Sequence, residues 1–170
     1  VVIVMANGKR YGGVANLTKS GEGVAICPVS EEPFPNNFVQ ILRHEAGGHA
    51  FGKLADEYSF GGPIDASTAS YLKSWQEAGM YLNVSMSSTE FPQELKDRGK
   101  ISDVYVGGFS CSGGVWRSSE NSLMKGMDEG FNILSRYLIY LRMKNLRGEG
   151  MDFPAASLDD FLSRDKEDTE

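Results

Sequence analysis

Cysteine is scarce in this sequence: Cys27 and Cys111 are the two present in 170 residues. That excludes a small disulfide-stapled scaffold, which needs several closely set pairs. Nothing in the spacing argues for a bridge, so buried thiols are the preferred reading, with pairing in an exported protein as the alternative. Long apolar runs are also missing. VVIVMA at 1–6 is short and follows no positive segment, so it reads as a strand buried on both faces rather than a signal peptide. The apolar stretch at 133–141 is interrupted by Arg136 and falls short of the ~20 residues that span a bilayer. No transmembrane segment is expected. A chain opening in mid-strand reads as a fragment or processed product whose export signal would lie upstream.

A basic surplus is absent too. The formal charge is −6, and Gly148 to Glu170 hold eight acids and two bases, which leaves fifteen of each in residues 1–147. A neutral body argues against nucleic acid as a partner and assigns the acidity to a tail. The length suits one domain with a sizeable core. The expected organisation is a globular body over 1–147 and an acidic tail over 148–170, weakly structured apart from a turn at 157–163. A monomer is expected.

The elements follow from pattern and punctuation. NGKRYGG at 7–13 is turn chemistry, and GVAICPV at 23–29 is a second strand whose Pro28 suits an edge. PFPNN at 33–37 offers Asn36 or Asn37 as the cap of a helix over Phe38 to Phe51, with Phe38, Ile41 and Leu42 facing the core and Gly52 as its stop. Further helices are expected at 67–78 and 129–146. FPQELKDRGK at 91–100 reads as a surface loop with a helical turn, and DVYVGG at 103–108 as a short strand. The glycine- and serine-rich run from Gly107 to Glu120 reads as a packed functional loop around Trp116.

Histidine is rarest where it matters most. The two histidines flank one glutamate within six residues, HEAGGH at 44–49. Imidazole and carboxylate are the donors zinc favours where a position stays open for water. The familiar HExxH arrangement stacks histidines four apart on one helix face. Five apart, they diverge by about 140° on a regular α-helix instead of about 40°. A π-bulge at Gly47–Gly48 would bring both rings to one side, with the paired glycines lowering its cost. The alternative takes Glu45 and His49 as the ligands. The first is preferred because it leaves Glu45 free as a general base. AFGKLADEY follows at 50–58, and Gly52 would let the chain turn and return a third ligand, Asp56 first and Glu57 next. SLMKGM at 122–127 places Met124 where a methionine turn could underlie the metal.

Together, HEAGGHAFGKLADEY, GGVWRSSENSLMKG and FNILSRYLIYLRMK resemble the bacterial IgA-peptidase family of zinc metalloproteases, over roughly residues 1–146. Members typically read HEFGHAFxGLADEY followed by NSxM. The resemblance matches His44, Glu45 and His49 to the zinc-binding stretch, Asp56 to the aspartate completing the site, and Met124 to the methionine turn. This chain carries one more residue between its histidines, and Ser118 stands where proline is usual after Arg117. A six-residue HExxxH spacing is used by zinc peptidases of the dipeptidyl peptidase III type. The resemblance implies a zincin-like α/β domain with a twisted mixed sheet, an active-site helix and a C-terminal helix. It further implies that 23–29 forms the edge strand lining the cleft, and that the protein is secreted, periplasmic or at the cell surface.

The expected activity is that of a zinc-dependent endopeptidase acting on a protein or peptide substrate, with Glu45 taking a proton from zinc-activated water and zinc polarising the scissile carbonyl. Tyr58, Tyr105 and Arg117 are candidates for a second electrophile. Rival readings are a non-catalytic binding module clamped by zinc, and an aminopeptidase. NVS at 83–85 is formally a glycosylation acceptor.

Overall fold

The computed structural model describes residues 1–8, 12–149 and 155–165. Part of the expected 7–13 turn (9–11) and parts of the expected tail (150–154 and 166–170) lie outside the described residues. Two three-stranded sheets replace the single sheet expected. In the first, β1 (Val2–Ala6), β2 (Val14–Leu17) and β3 (Gly23–Pro28) lie in the order β1-β3-β2, with β1 parallel and β2 antiparallel to β3. Residues alternate across a strand, so Gly23, Ala25 and Cys27 share the buried face of β3. Ala25 and Cys27 pack there on Ile41, Ala46 and Ala50 of the helix above. Gly23 is there for space: a Cβ on it would lie 2.5 Å from the Ala50 carbonyl oxygen.

Two strand expectations are corrected. The 23–29 segment is the central strand, because β1 and β2 both pair with it, and the edge that lines the cleft belongs to β2, which periodicity did not mark. Residues 1–6 form a strand, but not one buried on both faces: Val2, Ile3 and Met5 are 58%, 50% and 67% exposed. Apolar composition predicts a strand from local preference, whereas burial depends on what packs against it.

Asn37 caps the helix, its Oδ1 accepting from the Gln40 amide at 3.0 Å. One turn of α-helix, α1 (Phe38–Leu42), runs directly into a π-helical segment, Arg43–Phe51. After it come α2 (Ala66–Gln76), β4 (Val84–Ser85), α3 (Gln93–Asp97), β5 (Tyr105–Gly108), β6 (Cys111–Arg117), α4 (Ile133–Leu146) and α5 (Ala155–Arg164). The second sheet is antiparallel, ordered β4-β6-β5. The glycine- and serine-rich run is therefore a β-hairpin rather than a loop. Phe109 and Ser110, both at left-handed φ, turn it, and Val115 and Arg117 point inward from β6.

Leu54, Leu95, Met124, Leu134, Tyr137 and Leu141 form the main core, and Leu158 and Phe161 of α5 belong to it. The core thus continues past residue 147, and Ala155–Arg164 is a docked helix instead of a loose tail. Arg136 grips Asp165 with two bonds of 2.7 and 2.8 Å, and burial of the Phe161 side chain adds about 1.5–3 kcal/mol. The chain is a mixed α/β protein with two small sheets and, among the described residues, five α-helices. None of these helices is long and apolar enough to cross a membrane. Cys27 and Cys111 are free and buried, in separate clusters, and burial pushes both thiols up in pKa.

Candidate metal centre

The hydrogen bonds of a π-helix close five residues apart, so it brings side chains at i and i+5 to the same side. This happens over the whole of Arg43–Phe51, wider than a bulge at Gly47–Gly48 alone. The rings of His44 and His49 meet edge to face, with centroids 4.8 Å apart and planes at 86°. Their Nε2 atoms stand 3.1 Å from each other, and Asp56 Oδ1 stands 3.1 Å from both.

The other ring nitrogens identify what these atoms are. His44 Nδ1 lies 2.8 Å from the Leu123 carbonyl and His49 Nδ1 lies 2.7 Å from the Leu54 carbonyl. A carbonyl only accepts, so each Nδ1 carries the hydrogen, and in the neutral ring each Nε2 is a bare lone pair. Two such nitrogens and a carboxylate oxygen in mutual contact repel unless a cation or proton lies among them. A tetrahedral ion with metal–nitrogen bonds of about 2.0–2.1 Å sets its ligands about 3.3 Å apart, so the observed triangle could hold a metal ion. These three residues form the metal-capable group among the described residues. Burial opposes a charged His49, but the hydrogen bond and charge of Asp56, aided by the Leu54 carbonyl and Glu45, hold its pKa above the ordinary value. Burial likewise opposes ionised Asp56, yet His44 and His49, which donate to it from Nε2 when their rings are protonated, keep it well below the usual carboxylate range.

Asp56 is positioned by the segment leaving the helix. Gly52 does not supply the turn, since its φ is −70°. Lys53 does, at φ +59°, while a Cβ on Gly52 would come within 2.9 Å of the Gly48 carbonyl oxygen and Ile139. Asn83 then clamps the segment. It accepts from the Ala55 amide at 2.7 Å and donates to the Ala55 carbonyl at 2.9 Å. Asn83 is fully buried, which corrects the glycosylation reading of NVS.

Glu57, the second choice as ligand, faces the other way. It is 0% exposed and accepts from Ser122 Oγ at 2.5 Å, Asn83 Nδ2 at 2.9 Å and Asn132 Nδ2 at 3.1 Å. Its amide donates to the Met124 carbonyl at 2.7 Å. Ser122 and Met124, the two neighbours of Leu123, thereby tie the segment that carries Asp56 to the loop that orients His44. Met124 is fully buried under the π-helix, and a Cβ on Gly48 would sit 2.4 Å from its Sδ.

Glu45 lines a cleft of about 320 Å3 with the two histidines, Asp56, and Val14, Ala15 and Leu17 of β2. Burial raises the pKa of its carboxyl, against the pull of His49 and His44. A Cβ on Gly13 would lie 2.4 Å from Glu45 Cγ, so the glycine lets the start of β2 close over this side chain. Tyr58 also lines the cleft, whereas Tyr105 and Arg117 are not among its lining residues. The Arg117 guanidinium is buried, donating to the Val106 and Gly107 carbonyls at 2.7 and 2.9 Å, and stacks 5.7 Å over Tyr105. These two hold the hairpin together and drop out as electrophiles.

Sequence reasoning missed Tyr81 and Asn83. Both fall in 80–100, where no periodicity exists to read. Tyr81 lines the cleft, and burial, with Tyr71 and Asp56 nearby, pushes its phenol up to about 12, so it stays protonated near neutral pH. No protein-family model and no curated protein matches this chain.

Proposed function

We propose that this protein is a zinc-dependent endopeptidase with a zincin-like domain. The observation that carries the reading is the triangle of His44 Nε2, His49 Nε2 and Asp56 Oδ1 at the wall of an open cleft, with Glu45 beside it and not used as a ligand. His44, His49 and Asp56 would hold the ion, and zinc with three protein ligands supplies a Lewis acid that lowers the pKa of water to about 7.

The chain's own residues supply the rest. Glu45 takes a proton from the attacking water on its carboxylate and returns it to the leaving amine; burial keeps its proton affinity above that of an exposed glutamate. Leu123 and Leu54 carbonyls hold the Nδ1 protons, so both imidazoles keep Nε2 turned inward. β2 has one edge paired to β3 and no strand on the other among the described residues. An extended substrate can add there through backbone hydrogen bonds. Tyr81 and Tyr58 offer phenol donors at the cleft. Secretion or display at the cell surface belongs to the same reading.

The test is metal analysis joined to peptide cleavage. The purified protein should hold one zinc and cleave a mixed peptide library at internal bonds. Glu45→Gln should keep the zinc and lose about 10²–10⁴-fold in kcat. Full activity in that variant, or a protein that takes up no zinc, sinks the proposal.

A further inference from the structure

Four non-glycine residues among those described adopt left-handed backbone: Lys53, Tyr81, Phe109 and Ser110, at φ +59°, +58°, +51° and +60°. Such conformations are disfavoured for side chains beyond Cβ, most of all for bulky ones, and persist where surrounding structure holds them, often at ligand clamps. Three of the four line the metal cleft. Their backbone is fastened to the segment that carries Asp56. Phe109 N–H donates to the Asp56 carbonyl at 2.8 Å, Ser110 N–H to Tyr58 at 3.1 Å and Tyr81 N–H to Lys53 at 2.7 Å.

The strain presents aromatic surface. Tyr81 and Phe109 stand with ring centroids 5.6 Å apart. Two rings from α2 back them: Trp75 at 5.3 Å from Tyr81, and Tyr71 stacked at 6.2 Å on Phe109. Tyr81 and Phe109 are only half-buried, which leaves ring surface open to the cleft. Among the described residues the cleft lining contains no lysine or arginine. Ring faces reward an aromatic or large apolar side chain.

We infer that the Tyr81–Phe109 wall is a substrate side-chain subsite selecting an aromatic or large apolar residue next to the cleaved bond. The inference rests on the endopeptidase reading for its reaction, but the binding preference is measurable without turnover. A peptide series differing at one position (Phe, Leu, Ala, Asp, Lys) is titrated against zinc-loaded Glu45→Gln by calorimetry, and the same series is assayed for kcat/KM on the native protein. The Phe peptide should bind about tenfold tighter than the Asp peptide, the size expected of one or two ring contacts. In a Glu45→Gln/Phe109→Ala double variant the Phe-over-Ala ratio should fall to within about threefold. Phe109→Leu, which keeps the bulk, should retain preference for Leu while losing that for Phe, and zinc content and the thermal midpoint verify that each variant is folded. Equal binding across the series, no measurable binding by any peptide, or an undiminished Phe preference without Phe109 overturns the subsite. If the native protein binds the Phe peptide selectively yet cleaves nothing, the endopeptidase reading fails and the subsite stands.

Discussion

Adjacent glycines in the π-helix Arg43–Phe51 should respond to alanine in opposite directions. At Gly47 an added Cβ would meet only the Phe131 ring at 3.6 Å, an ordinary contact. At Gly48 it would lie 2.4 Å from Met124 Sδ and 3.0 Å from its Cε, distances that force something to move. Met124 is fully buried among core side chains, so its retreat displaces neighbours. Alanine in place of glycine, where the conformation allows it, gains about 0.4–1 kcal/mol by restricting the unfolded chain. Overpacking a filled core costs about 1–3 kcal/mol, and methionine's flexibility places Gly48 toward the lower part of that range. Gly47→Ala should therefore be neutral or stabilising by up to ~1 kcal/mol, and Gly48→Ala destabilising by ~1–2 kcal/mol. A second effect separates them. Met124 follows Leu123, whose carbonyl holds His44 Nδ1, so Gly48→Ala should also weaken zinc binding while Gly47→Ala leaves it alone. Urea unfolding of the apo forms and competition titration of zinc measure the two quantities. Equal responses at both positions would refute the steric account and return both glycines to the role of easing a helix distortion.

Glu57→Gln replaces an all-acceptor carboxylate among three donor side chains with a group that carries an amide donor. Zinc affinity should fall by about 10–100-fold, as for other residues that orient ligands, and an unchanged competition curve would show that Glu57 merely fills space. Lys53 is 3% exposed, and its pKa is brought down to about 8 by burial first and by Arg142 second, against Glu22. Its folded value lies below the unfolded one of about 10.4, so the unfolded chain binds more protons between those limits and stability rises with pH from about 8 to 10. Lys53→Met should raise stability at neutral pH and flatten that rise; parallel pH profiles of the unfolding free energy would contradict it. Phe161→Ala, which an acidic solvated tail would tolerate, should cost about 3–5 kcal/mol because the ring belongs to the main core. A thermal midpoint unmoved by this change would mean that α5 does not dock.

The sequence by itself determined the parts of this protein that are local. Composition and periodicity marked the helix over 38–51, and Asn37 caps it as the pattern requires. The odd five-residue spacing of His44 and His49 called for π geometry, because only a wider turn brings both rings to one side, and Asp56 followed within a few residues. Tertiary structure decided what depends on neighbours far along the chain. Whether a valine-rich strand is central, at an edge or exposed is set by pairing order, which β1, β2 and β3 do not encode in their own residues. Arg117 and Glu57 carried the right chemistry for a site but are spent on backbone carbonyls and on Ser122, Asn83 and Asn132. Tyr81 and Asn83, in a stretch without periodicity, became part of the site only because Lys53, Ala55 and Glu57 fold back onto them. The spacing of His44 and His49 is written along one helix; the shell that orients their rings is assembled from segments that meet only after collapse.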